Sequence, residues 1–284
     1  MSNFKENIHE EVKKALYEDI GSGDVTAMLI AENALSEAQV ITRETAILAG
    51  VDWFNEVFRQ LDETISIQWF ADDGDVVQAD QILCKLSGPA RAMLTGERTA
   101  LNFLQTLSGT ATRVAAYVAA VAHTSVKLLD TRKTIPGMRL AQKYAVQCGG
   151  GYNHRIGLFD AFLIKENHII AAGGMAAAVA RARAINPDLL LEVEVESMEE
   201  LDQAINASVD RVLLDNFNLA MLKDAAAFSA GRVELEASGN VSLETLADIA
   251  ETGVDYISIG SLTKHIQAID LSMRFSGSDF SEQA

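Results

Sequence analysis

The chain has 284 residues, 49% of them hydrophobic and 22% charged, with a formal net charge of −17, so it can bury a full core as one large domain or two unequal ones, and disorder is excluded for most of it. That acidity excludes nonspecific nucleic-acid binding, which needs an extended basic face, and leaves a small molecule as the expected partner. No apolar run approaches a membrane span, the first ten residues carry no signal-peptide core, and Cys84 and Cys148 stand in no metal-ligand spacing, so a soluble, cytoplasmic protein with reduced thiols is expected.

In chain order, Asn7 to Glu18 reads as a helix, and Ser36 to Ala46 and Ile65 to Phe70 read as alternating strands of a small α+β module. Asp73 to Leu83 is a turn followed by a strand-like run that resembles half of a biotinyl or lipoyl carrier domain. Lys85 follows it with no hairpin signal, which favours a scaffold over a carrier. Glu97 to Val121 predicts a long helix, apolar at Leu101, Leu104, Ala111, Val114 and Val118, with Gly109 as a bend or close-packing point.

From about residue 124 the pattern changes. Strand-like runs at Val126–Asp130, Ala161–Ile164, Leu189–Val195, Arg211–Leu214, Val233–Ala237 and Tyr256–Ile259 alternate with helical runs at Met175–Ala184, Met198–Asn206, Leu219–Phe228 and Leu243–Thr252. Repeated strand-then-helix units predict parallel strands with right-handed crossovers, in a barrel or an open sheet. Alternation puts Glu192, Glu194 and Glu196 on one strand face opposite Val193 and Val195, which favours a barrel whose lumen receives the three glutamates.

Residues 131–165 hold six Lys or Arg (Arg132, Lys133, Arg139, Lys143, Arg155 and Lys165) against one acid, Asp160, a local balance of +5 suited to a small anion. In parallel α/β folds the reacting groups sit at the carboxyl ends of the strands. Those ends carry Arg132 and Lys133, Lys165, Glu194, Asp215, Ser238-Gly239-Asn240 and Ile259-Gly260-Ser261. A polar strand end is ordinary by itself, but six in succession point to catalysis. Gly149 to Gly151 ahead of His154 and Arg155 offers close backbone approach to a phosphate or carboxylate, or a plain turn. Asp215 with Glu194 suits Mg²⁺ or ribose hydroxyls, or else forms ion pairs with Lys133 and Lys165. No catalytic triad, P-loop or dinucleotide fingerprint is present.

The runs Glu97 to Asn102, Asp130 to Thr134, Gly149 to Arg155, Leu163 to His168, Glu192 to Val195 and Leu214 to Phe217, with Glu18 to Thr26 and Glu251 to Tyr256, resemble the quinolinate phosphoribosyltransferases over nearly the whole chain. The resemblance implies an α/β protein: an N-terminal α+β open-faced sandwich domain (residues 1–111), then an incomplete parallel α/β barrel of about six strands (112–284) whose C-terminal tail packs back on the first domain. It implies a homodimer, or a larger assembly of such dimers, with shared active sites. Arg98 from the partner subunit, with Arg132, His154, Arg155 and Lys165, would surround quinolinate. Lys133, Glu194 and Asp215 would meet the ribose and Mg²⁺-pyrophosphate of phosphoribosyl pyrophosphate as the catalytic groups, with Glu194 and Asp215 the Mg²⁺ contacts and Thr131 a further substrate contact. Ser238, Gly239, Asn240, Ile259, Gly260 and Ser261 would hold the terminal phosphate. Lys264 or His265 is a further candidate phosphate contact. The alternative is a sister phosphoribosyltransferase acting on nicotinate or another pyridine without decarboxylation, which should lack one of the dicarboxylate-binding cations.

Overall fold

The structure, a computed structural model, describes residues 2–275. The chain forms α1 (Ser2–Ile20), β1 (Leu35–Thr42), β2 (Ala46–Ile47), α2 (Val51–Leu61), β3 (Ser66–Trp69), β4 (Val76–Val77), β5 (Ile82–Pro89), α3 (Ala90–Ala120), β6 (Lys127–Leu129) and α4 (Arg139–Cys148). It continues with β7 (Phe162–Ile164), α5 (Glu166–Ala172), α6 (Met175–Ile185), β8 (Leu191–Val195), α7 (Met198–Asn206), β9 (Arg211–Asp215), α8 (Leu219–Ser229), β10 (Glu234–Ser238), α9 (Leu243–Ala250), β11 (Tyr256–Ser258), α10 (Ser261–Lys264) and β12 (Leu271–Phe275). Two compact units divide it: one takes the residues up to Arg113, the segment Ile135–Gly150 and the chain from His265 on, the other Val114–Thr134 and Gly151–Lys264.

In the first unit an antiparallel sheet in the order β12-β1-β5-β3 backs onto helices. Helix α2, which the sequence reading passes over, buries Trp53, Phe54, Val57 and Phe58, a single face at helical spacing. It meets the buried Ile8, Val12 and Leu16 of α1, and the Trp53 indole N–H donates to Glu11 Oε2 at 2.7 Å. Helix α3 starts directly after Pro89, seven residues ahead of the expected Glu97, because its first turns bury Ala90 and Met93. A Cβ added to Gly109 would run into the Gln267 carbonyl, so this position is the close-packing point expected. The tail returns as β12, with Ala38 opposite Phe275 and Thr42 opposite Leu271. The remainder of the tail expected to pack back, 276–284, lies outside the described residues.

Of the cationic run, Arg139 and Lys143 lie on α4 in the first unit, where Lys143 is buried.

The second unit is a six-stranded parallel sheet ordered β6-β11-β10-β9-β8-β7. Each strand after β7 pairs with the one before it, β11 pairs with β6, and β6 and β7 are left as the edges, which makes the barrel incomplete. Val193, Val195, Val212, Leu214, Leu235, Ala237 and Ile257 alternate onto one face, all buried. The opposite face of β8, β9 and β10 carries Glu192, Arg211 and Glu234 in register. Arg211 binds Glu234 at 2.9 Å, lies 3.7 Å from Glu236 and stacks on the Tyr256 ring at 3.8 Å, so charge on this inner face is met by charge and by an aromatic face. The third glutamate of the expected series departs: β8 ends at Val195, and Glu196 is exposed in the following turn, its N–H donating to Glu200 Oε2 at 2.7 Å.

Candidate active site

The carboxyl ends of the second unit's strands bring most of the anticipated polar groups together. Past β6, the Thr131 hydroxyl accepts the Lys133 N–H at 3.0 Å, and the Lys133 carbonyl accepts the Thr263 hydroxyl at 2.9 Å, which fixes the turn after the strand. A Cβ at Gly260 would sit 2.7 Å from Lys133 Cδ and 3.4 Å from Thr131 Oγ1, so only glycine leaves room for the Lys133 stem along β11's end.

Arg132, Arg155, Lys165, His168 and Arg181 line a cavity of about 460 Å³ whose other walls are apolar, including Phe162, Ala178 and Ile185. Burial lowers the Arg155 pKa, and the charge of Arg132 lowers it further. Two guanidiniums beside one cavity are chemically suited to an anion. Lys165 caps α5 at the end of β7 and is ion-paired with Glu194 of β8.

Asp215 ends β9. Burial raises its pKa, the charge of Glu194 adds to the rise, and Lys165 and Lys133 oppose it. Two carboxylates of neighbouring strands thus face each other with two ammonium groups beside them. The next residue, Asn216, has φ +57°, and its N–H donates to the Ser238 carbonyl at 3.0 Å while its amide donates to Asp215 Oδ2 at 2.9 Å. Ser238 closes β10. Gly239 follows at φ +102°, where an added Cβ would strike Asn216 Oδ1, and Asn240 has φ +50°. Ser242 caps α9, with Thr245 completing the box.

Of the expected backbone donors, the Ile259 N–H is engaged by the Leu129 carbonyl at 2.9 Å. The Ser261 hydroxyl is buried with no hydrogen-bond partner among the described residues. Arg98 is exposed on α3 in the first unit, and Lys264 is exposed at the end of α10. His154 faces inward: its Nε2 lies 2.9 Å from Glu192 Oε2 and 3.4 Å from Glu236 Oε2. Glu236 and Asp130, which accepts the His154 N–H at 2.9 Å, are contributors the sequence reading did not single out. The alternation Glu234-Leu235-Glu236 in β10 repeats that of Glu192-Val193-Glu194 in β8 and was the available signal for Glu236.

Two family models match the chain: the quinolinate phosphoribosyl transferase N-terminal domain over residues 24–108 and its C-terminal domain over 110–274. The structure of the nicotinate-nucleotide pyrophosphorylase from Francisella tularensis is 51% identical, superposes with a TM-score of 0.93, and covers 96% of this chain and 97% of that one. The carboxylating nicotinate-nucleotide pyrophosphorylase of Arabidopsis thaliana chloroplasts is 40% identical, with 93% of this chain and 81% of that protein aligned. The corresponding protein of Mycobacterium leprae is 39% identical over 93% of this chain and 95% of its own length. The chain belongs to the quinolinate phosphoribosyltransferase family.

Proposed function

We propose that this chain transfers phosphoribose from phosphoribosyl pyrophosphate to quinolinate and decarboxylates the adduct, giving nicotinate mononucleotide, pyrophosphate and CO₂ for NAD biosynthesis. It is a pentosyltransferase, EC 2.4.2.19. The observation that carries the reading is the cavity holding Arg132, Arg155 and Lys165 next to the Glu194–Asp215 pair: three cations for two adjacent carboxylates, beside two anions for a developing cation.

Quinolinate's two carboxylates meet Arg132, Arg155 and Lys165, with Arg98 of the partner subunit completing the cage in a homodimer. His154 braces the same wall. Each charge-assisted bond contributes about 1.5–3 kcal/mol, and arginine grips a carboxylate in bidentate fashion. Lys165 reaches quinolinate by exchanging its bond to Glu194, which frees that carboxylate for the second substrate. Thr131, Lys133, Glu194 and Asp215 bind the ribose and pyrophosphate. Ser238, Gly239 and Asn240 hold the terminal phosphate together with Gly260 and Ser261, since the Ile259 N–H belongs to the strand.

Mg²⁺ fits Glu194 and Asp215, directly or through substrate or water: burial raises the Asp215 pKa and the charge of Glu194 raises it further, and a divalent cation would relieve that repulsion. When bound it neutralises charge on the departing pyrophosphate. The pyridine nitrogen pair attacks C1 of the ribose while the C1–O bond breaks toward pyrophosphate. Positive charge grows on the ribose, and the Glu194 and Asp215 carboxylates stabilise it. In the adduct the carboxylate beside the quaternised nitrogen leaves as CO₂, its bonding pair remaining on a ring carbon next to N⁺ and then taking a proton. No protein nucleophile is required.

Among the described residues no helix is long and apolar enough to cross a membrane, and both cysteines are free. The test is product formation with and without a Mg²⁺ chelator, with nicotinate run beside quinolinate. We expect nicotinate mononucleotide from quinolinate alone and only with metal. Nicotinate used as well as quinolinate would move the chain to the sister class, since an unmatched buried cation should cost a monocarboxylate about 10⁴-fold.

A further inference from the structure

Glu192 and Glu236 are 0% exposed, and their polar neighbours are His154, Arg211 and, for Glu236, Ser258. Two buried carboxylates are costly to fold, so what they face needs a reason. They face one ring. His154 Nε2 stands between them at 2.9 and 3.4 Å.

The other side of that ring is tied to the loop that enters the anion cavity. The Arg155 N–H donates to His154 Nδ1 at 2.8 Å, one residue after the His154 N–H is anchored on Asp130. A 2.8 Å N···N contact has room for one hydrogen, which the amide supplies, so Nδ1 is bare and Nε2 carries the ring proton toward the glutamates. Burial works to lower the His154 pKa, and the bonds and charges of Glu192 and Glu236 overcome it and raise it to about 9. The Arg155 amide at Nδ1, which a second ring proton would oppose, works with burial against that rise, and the Nε2–H directed at the glutamates is present with or without the second proton. The three side chains also have the spacing of a metal triad, with ligand atoms within 4.8 Å of one another. A metal on Nε2 would need the ring proton on Nδ1, where the Arg155 amide already stands.

We propose that Glu192 and Glu236 are positioning residues: by holding the His154 ring in its Nε2–H form and orientation, they fix the Arg155 amide and so aim its guanidinium into the cavity it shares with Arg132 and Lys165. This rests on the reading of that cavity as the quinolinate site. The glutamates do not touch substrate. Their effect should therefore fall on one substrate and pass through one residue.

The experiment is steady-state kinetics of Glu236→Gln, alone and in an Arg155→Ala background, with Glu192→Gln making the same measurement should the first variant not fold. Displacing a positioned group by about 1 Å can change rates by about a hundredfold, so we expect KM for quinolinate to rise roughly ten- to a hundredfold and KM for phosphoribosyl pyrophosphate to move less than about twofold. In the Arg155→Ala background the added effect should shrink to less than about twofold. Equal rises in both KM values, an effect undiminished without Arg155, unchanged kinetics, or a stoichiometric metal in the unmodified chain lost in Glu236→Gln would each overturn the proposal. A chain inert toward quinolinate would sink the substrate reading, while an Arg155-dependent loss of affinity for whichever pyridine carboxylate it does use would still support the positioning role.

Discussion

Arg132→Ala should abolish useful turnover of quinolinate while leaving the chain folded. Arg132 lines the cavity with Arg155, whose pKa burial lowers and the Arg132 charge lowers further. Removing one bidentate partner deletes two charge-assisted bonds, about 3–6 kcal/mol, which corresponds to roughly a 10²- to 10⁴-fold fall in kcat/KM. Arg132→Lys should recover only a fraction, because an ammonium supplies a point charge where the carboxylate matches a planar fork. KM for phosphoribosyl pyrophosphate should stay near its original value. The check is kcat/KM for each substrate beside the melting temperature. Equal loss toward both substrates, or a parallel loss of folding, would remove Arg132 from the dicarboxylate contact.

Asp215→Asn should act on the chemical step instead. The substitution keeps size and removes the charge that faces Glu194, Lys165 and Lys133 at the end of β9. Preorganised electrostatic stabilisation of this kind is typically worth about 10²- to 10³-fold in kcat. Quinolinate affinity should change little, since the cations of its cavity are untouched. The readout is single-turnover rate at saturating substrates together with quinolinate binding measured separately. A kcat within about threefold of the unmodified chain would deny Asp215 a role in the transition state.

The contrast between the two sites follows how each was legible beforehand. The second unit is legible through its period-2 and helical runs, and the strand-end rule points to Arg132, Lys165, Glu194 and Asp215. Alternation also put Glu192 inside. It overreached at Glu196 because periodicity continues on paper past the point where the strand stops. The direction of His154 was hidden for a different reason: a loop residue's orientation depends on tertiary partners, here Glu192 from one strand and Glu236 from another, which spacing does not encode. Helix α2 went unseen because its apolar face, Trp53-Phe54 and Val57-Phe58, consists of aromatic and β-branched residues that read as strand formers when isolated. Arg139 and Lys143 belong to α4 of the first unit, a membership that counting charge along the sequence does not reveal.

The most direct measurement is the release of labelled CO₂ from quinolinate carrying the label in the carboxylate next to the ring nitrogen, with Mg²⁺, in the presence and absence of phosphoribosyl pyrophosphate. Release equal to pyrophosphate formed, requiring both substrates and lost in Arg132→Ala, is the predicted result; pyrophosphate formed without labelled CO₂, or CO₂ released without phosphoribosyl pyrophosphate, would contradict the assigned reaction.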